Sequence, residues 1–262
     1  MKTASARFFL ASLLFLIFHS ASASAFNDDD FLTDLRHAKS MVAKNEKAGI
    51  AYWEKLWVLY GGAPGGRYET ELGTFFSNAG RYEQAEQAYH QAIALEDPSP
   101  RPYVGLSFVH LEQGRFADAE KWARRAVDEF PKHWIGYTTI GHVEWKQKRY
   151  ASAQSWLKKS LNYQFRAATF WMLAIVSYEL KDWQSTITSM DAATKLDASY
   201  RSDENGMRAA AIALAQIGRY GEAYRLVEML QTSNPAIKRS AIEALVNKVR
   251  ELEAAAVADG PS

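Results

Sequence analysis

Residues Gly80–Asp97 read GRYEQAEQAYHQAIALED, a short turn followed by small and aromatic residues at helical spacing. The phrase returns down the chain. Gly114-Arg115-Phe116 with Ala119 repeats it 34 residues on, and Lys148-Arg149-Tyr150 with Ala153 follows after another 34. Lys181-Asp182-Trp183 comes 33 residues later, and Gly218-Arg219-Tyr220 with Ala223 after 37. Self-similarity at this period marks a solenoid whose unit, a helical hairpin, cannot bury its apolar side without a neighbour. The predicted fold class is all-α, antiparallel helix pairs stacked side by side.

Placing Gly80, Gly114, Lys148, Lys181 and Gly218 at repeat position 15 puts positions 4, 7, 8 and 11 on one face of each first helix. They read Glu69, Leu72, Gly73, Phe76; Tyr103, Leu106, Ser107, His110; Tyr137, Ile140, Gly141, Glu144; Phe170, Leu173, Ala174, Ser177; and Met207, Ala210, Ala211, Leu214. This i, i+3, i+4, i+7 spacing predicts the face toward the partner helix. Position 8 is small throughout, and position 20 holds Ala85, Ala119, Ala153, Thr186 and Ala223. Two facing small residues are expected to draw the axes close. An aromatic at position 17 (Tyr82, Phe116, Tyr150, Trp183, Tyr220) is expected to plug each corner. Pro98, Pro131 and Pro235 fall near the ends of second helices, where proline stops helical continuation.

These residues resemble the tetratricopeptide repeat family, the match being carried by Leu72-Gly73, Gly80-x-Tyr82, Ala85, Tyr89, Ala92, Gly114-x-Phe116, Ala119, Ala126 and Pro131. The resemblance implies a right-handed superhelical solenoid whose concave face, lined by first helices, takes a partner protein or peptide. Ala123 and Leu157 at position 24, and extra residues around Ser199–Asp203, depart from the family pattern. A subclass that clamps chaperone tails uses Lys, Arg and Asn where this chain has Thr70, Thr74, Gly105, Ile135 and Thr139. That clamp is missing.

The flanks are read as follows. Residues 1–25 have a basic start (Lys2, Arg7), an apolar run from Phe8 to Phe18, and Ala23-Ser24-Ala25. The run is too short to span a bilayer, and the pattern is that of a signal peptide cleaved after Ala25 or Ala23. Residues 26–65 are expected to hold an N-terminal helix pair (28–44 and 46–60) and a flexible glycine-rich linker. Asn27–Asp30 supplies helix-start chemistry. Residues 66–235 carry the five repeats, and 236–262 a capping helix and tail. In that helix Ile237, Ala241, Leu245, Lys248 and Leu252 recur at helical spacing, and Asn234-Pro235 reads as its N-cap and first residue. Cleavage leaves 29 basic against 30 acidic residues, which gives no general field for nucleic acid. The chain has no cysteine, hence no lipid-bearing Cys, thiol chemistry or thiolate metal site. The expected address is periplasmic or secreted, in a bacterial cell envelope, without stable membrane insertion after cleavage.

Catalytic patterns are weak. Ser155-x-x-Lys158 lacks the companion elements of penicillin-interacting serine enzymes. His142 and Glu144 are two apart and cannot share a helix face. No enzyme, cofactor or metal site is expected. Positions 2, 5, 9, 12 and 13 form a stripe beside the buried one, and the resemblance makes this stripe the inner groove. Its middle is aromatic and apolar with flanking cations, suited to a peptide segment. The expected partner-binding residues are Arg101, Phe108, Thr138, His142, Trp145, Lys146, Trp171, Tyr178 and Arg208. The expected function is a non-catalytic protein-binding scaffold of an envelope assembly or secretion system. The alternative is glycan binding in polysaccharide export, since sugars also stack on exposed rings.

Overall fold

A computed structural model describes residues 33–34, 36–38, 40–41, 46–60 and 65–258. The expected leader over 1–25, the acidic start at 27–30, linker residues 61–64 and tail residues 259–262 lie outside the described residues. The chain divides between Ala63 and Pro64 into two units.

In the first unit, residues 33–34, 36–38 and 40–41 are helical, and α1 spans Glu46–Tyr60. Ala38, Trp53 and Leu56 are buried. The Tyr52 hydroxyl donates to Asp34 Oδ1 at 2.8 Å, and the same ring meets His37 edge-on at 5.2 Å. These two contacts tie the helical residues around Asp34 and His37 to α1.

In the second unit, five hairpins follow in register: α2 (Arg67–Asn78) with α3 (Tyr82–Ala94), α4 (Arg101–Glu112) with α5 (Phe116–Glu129), α6 (Trp134–Lys146) with α7 (Tyr150–Leu161), α8 (Ala167–Glu179) with α9 (Trp183–Leu196), and α10 (Glu204–Gln216) with α11 (Tyr220–Ser233). The last helix, α12 (Arg239–Ala258), packs on both α10 and α11. Each helix packs on the next in sequence, and first helices also pack on one another from α2 through α10 to α12. No second helix packs comparably on the next second helix. The row of first helices is thus the tight side of the stack.

The corner chemistry explains the repeat phrase. Position 15 has positive φ in all five hairpins: Gly80 70°, Gly114 72°, Lys148 60°, Lys181 58° and Gly218 78°. The following amide donates to the carbonyl of position 11 at 2.8–2.9 Å, from Arg81 to Phe76, Arg115 to His110, Arg149 to Glu144, Asp182 to Ser177 and Arg219 to Leu214. Position 15 itself donates to position 12 at 2.8–3.1 Å. This pair of bonds closes the carbonyls that a helix end leaves open and requires a left-handed residue at the turn.

The predicted face is the core. Positions 4, 7, 8 and 11 are buried in every hairpin except Phe170, which is half-buried. The expected pairing of position 8 with position 20 needs correction. Ser107 Oγ does donate to the Ala119 carbonyl at 2.8 Å. At Gly73, however, a Cβ would lie 2.6 Å from the Tyr89 ring, and at Gly141 it would lie 2.8 Å from Leu157 Cγ. At these two glycines position 8 is small because it receives position 24, so the large Tyr89 and Leu157 are matched in volume by the opposite helix. Ala174 with Met190 and Ala211 with Val227, the same two positions, share one core cluster.

Three further expectations are corrected. The position-17 rings are half-buried rather than plugs, and Phe116 is 38% exposed. Pro235 does not begin the last helix: Asn234 closes α11, a turn follows, and α12 starts at Arg239. The Asn234 side-chain amide is engaged elsewhere, donating to the Ser202 carbonyl at 3.0 Å. The buried face of α12 is consequently Ile242, Leu245 and Val249, with Ala241 half-buried and Lys248 exposed. The extra residues between the fourth and fifth hairpins form a 3-10 helix, Ala198–Ser202, whose Tyr200 packs on the adjoining core.

Candidate functional site

The first helices α6, α8 and α10 border an open cavity of about 240 Å³. It is lined by Trp145, Trp171, Ile175, Tyr178, Glu179, Asn205, Arg208 and Ala209. Four of the residues expected from sequence, Trp145, Trp171, Tyr178 and Arg208, thus meet in one concavity although they span three hairpins.

Each ring is held from behind. The Trp171 indole N–H donates to Asp203 Oδ2 at 2.7 Å, and the same oxygen accepts the Gly206 amide at 2.6 Å as the N-cap of α10. One carboxylate therefore starts a helix and fixes a ring. Tyr200 lies beyond Trp171 with centroids 6.3 Å apart. Tyr178 meets Trp183 edge-on at 5.8 Å. Trp145 stacks on His142 at 5.5 Å and carries the Lys146 ammonium over its face at 5.3 Å. Phe108 extends this row, its ring 5.3 Å from His142.

The row sets the charge of its imidazole. Burial, reinforced by the Lys146 ammonium, holds the His142 pKa down at about 4, so this histidine is neutral at ordinary pH. Arg208 reaches only the Asn205 side-chain oxygen, at 3.4 Å. Lys146 and Arg208 have no carboxylate within 4.0 Å among the described residues. Arg208 and Glu179 thus line the aromatic floor, with Lys146 over the face of Trp145 and Asp203 bonded to Trp171.

Other expected site residues lie elsewhere or are already engaged. Arg101, on α4, pairs with Glu71 at 2.5 Å. Thr138 is hydrogen-bonded to Ser160 Oγ at 2.7 Å and Thr169 Oγ1 at 3.1 Å, which ties α6 to α7 and α8. Within the wider stripe, Thr70, Val104, Leu111 and Ala215 are buried. The groove is open chiefly at its middle. Ala209, at position 6, is a wall of the cavity that the stripe did not include; its small size leaves no periodic signal. Ser155 and Lys158 are both exposed on α7.

Residues 70–133 match the tetratricopeptide repeat family. No curated protein matches the sequence. Among solved structures, the chain is similar to one described as the APC/C hetero-tetramer Cut9–Hcn1, with TM-score 0.65 and 18% identity. That match covers 83% of this chain and 42% of the other, so this chain spans less than half of that relative. It is also similar to Pseudomonas aeruginosa pilF, with TM-score 0.61 and 18% identity over 73% of this chain and 88% of that one. A third structure, YrrB, is described as a TPR protein with an unusual peptide-binding site. It matches with TM-score 0.53 and 11% identity over 80% of this chain and 97% of that one. The family match over residues 70–133 and these likenesses agree on one fold, a solenoid of stacked helix pairs.

Proposed function

We propose that this tetratricopeptide repeat chain is a non-catalytic scaffold that takes a segment of a partner protein into the cavity between α6, α8 and α10. The observation that carries the reading is the convergence of Trp145, Trp171, Tyr178 and Arg208 on that one concavity. A rigid aromatic floor supplies contact area at little entropic cost, and Arg208 and Lys146 orient acidic groups on the occupant. The description of YrrB as having a peptide-binding site supports peptide capture as a use of this fold.

The setting we propose is the bacterial cell envelope, within an assembly or secretion system, on the strength of the leader read in residues 1–25. Fractionation of cells carrying a C-terminally tagged chain tests it: the mature form belongs in the periplasmic or secreted fraction, beginning after Ala25 or Ala23. Retention of the unprocessed chain in the cytoplasm overturns the setting.

Cross-linking and co-purification of the tagged chain with its partners, compared between the native chain and Trp145→Ala plus Trp171→Ala, test the cavity. Loss of partner in the double variant, with an unchanged helical circular dichroism spectrum, is the expected result. Equal capture by the two chains overturns the assignment. Response of tryptophan fluorescence to envelope polysaccharides, in place of protein capture, would favour the glycan alternative.

A further inference from the structure

A second surface lies along the loop edge at the middle of the stack, formed by two inter-hairpin connections, α5–α6 (residues 130–133) and α7–α8 (residues 162–166). The loops are locked together. The Tyr137 hydroxyl donates to the Pro131 carbonyl at 2.8 Å, and its ring stacks on Tyr163 at 5.0 Å with an interplanar angle of 16°. Ser160 Oγ donates to the Trp134 carbonyl at 2.9 Å.

On this frame sit rings and cations together. The Arg166 guanidinium lies 4.9 Å over Trp134, and the Lys159 ammonium lies 5.0 Å from both Tyr137 and Trp156. Lys132 is exposed in the first loop. Among the described residues, Lys132, Lys159 and Arg166 have no carboxylate within 4.0 Å. The acids nearby are Asp128, close enough to act on Tyr137, and Glu129, paired with Arg125 at 3.7 Å. The patch is therefore net basic. Tyr163 is 43% exposed and Phe165 is 69% exposed, the latter the most exposed aromatic side chain among the described residues.

We infer that this loop edge docks on an anionic lipid surface. A soluble anion would satisfy the three cations but leave the Phe165 ring in water. A protein partner would satisfy both only by offering a complementary hollow. A bilayer with anionic headgroups satisfies both with a planar boundary: Phe165 enters the acyl border, Tyr163 and Trp134 sit at headgroup depth, and the cations meet the phosphates. No helix among the described residues is long and apolar enough to cross a membrane, so the contact is peripheral. The cavity between α6, α8 and α10 is lined by none of these loop residues, and the two surfaces are independent.

Flotation of the purified mature chain with vesicles of equimolar phosphatidylglycerol and phosphatidylcholine, against phosphatidylcholine alone, tests the inference. Binding to the anionic vesicles only, weakened by added salt, is expected. Phe165→Ala should weaken it about tenfold, and Lys132→Glu plus Lys159→Glu should abolish it. Lys195→Glu, remote and paired with Asp191 at 2.6 Å, should leave it unchanged. Phe165 and Lys132 are exposed, so these variants keep the fold, as circular dichroism would verify. No binding to the anionic vesicles, equal binding to both vesicles, or binding that survives Phe165→Ala and the double charge reversal would each overturn it. Capture of a soluble acidic protein through this edge, with no vesicle binding, would overturn it in favour of a protein surface.

Discussion

The ring of Tyr89 occupies the space that a side chain at Gly105 would need: a Cβ built there falls among the ring carbons, with Cε2 only 2.6 Å away. Tyr89 belongs to the second helix of the first hairpin and Gly105 to the first helix of the next, so one ring joins two repeats. Gly105→Ala is expected to destabilise the chain by about 1–3 kcal/mol through overpacking, despite alanine's better helix propensity. In a Tyr89→Ala background the same change should become neutral or stabilising by up to about 1 kcal/mol. Urea unfolding of the four chains gives the coupling; equal effects in both backgrounds would refute it.

The five corners predict opposite signs for one kind of exchange. Lys148 and Lys181 hold a conformation that costs an L side chain about 1–2 kcal/mol, and Lys148→Gly and Lys181→Gly should each stabilise the chain by about 1 kcal/mol. Gly114→Ala should cost about 1 kcal/mol. A Cβ at Gly114 would meet nothing within 4 Å, so that loss reports backbone conformation alone. Thermal denaturation of the three variants is the measurement.

Asp203 serves both the α10 N-terminus and the Trp171 indole. Asp203→Ala should lower stability by about 1 kcal/mol from the cap and release the indole, raising the mobility seen in tryptophan anisotropy. Asp203→Asn keeps an oxygen that can accept both bonds but removes the charge that strengthens them. It should retain most of the stability while weakening partner capture, if a fixed Trp171 is what the partner meets.

His142 makes stability depend on pH in a definite direction. Its folded pKa, about 4, lies below the ordinary 6.5, so the unfolded chain takes up the proton first. The contribution is complete above about pH 6.5 and is lost progressively as pH falls from there toward 4. His142→Phe should make the stability profile shallower in that window, leaving the part due to His110 and His133, which burial also holds below the ordinary value. Glu120 and Asp182, whose hydrogen bonds hold their carboxyls below the usual range, act at lower pH. An unchanged slope between pH 6.5 and 4 in the variant would exclude this role.

The sequence was most legible where one residue type answers one local demand. The left-handed corner, the helix-stopping prolines and the four-position face all follow from local geometry, and the hairpins stand where the period put them. What escaped was long-range. Whether position 8 meets position 20 or 24 depends on how far two helices slide past each other, which periodicity does not encode. Asn234 carried an ordinary helix-start signal, but its side chain is spent on the Ser202 carbonyl 32 residues away. The start of α12 and its buried face moved accordingly. In the groove, the stripe brings Trp145, Trp171, Tyr178 and Arg208 to one concavity, while the engagement of Thr138 by Ser160 and Thr169, and of Arg101 by Glu71, is a long-range fact that helical spacing does not carry. Tyr163 and Phe165 of the loop-edge cluster gave no periodic trace, because loops carry none, and Trp134 stands at the first residue of α6, before a helical period can register.

Because Tyr89 is seated against a glycine of the following hairpin, the order of the modules is not free. Excising residues 100–133 would preserve the period and the four other corners, yet it would bring Thr139 to the place of Gly105, where the phenol leaves no room for a side chain. Shortening or shuffling this array by whole units at this seam therefore demands a second, compensating change.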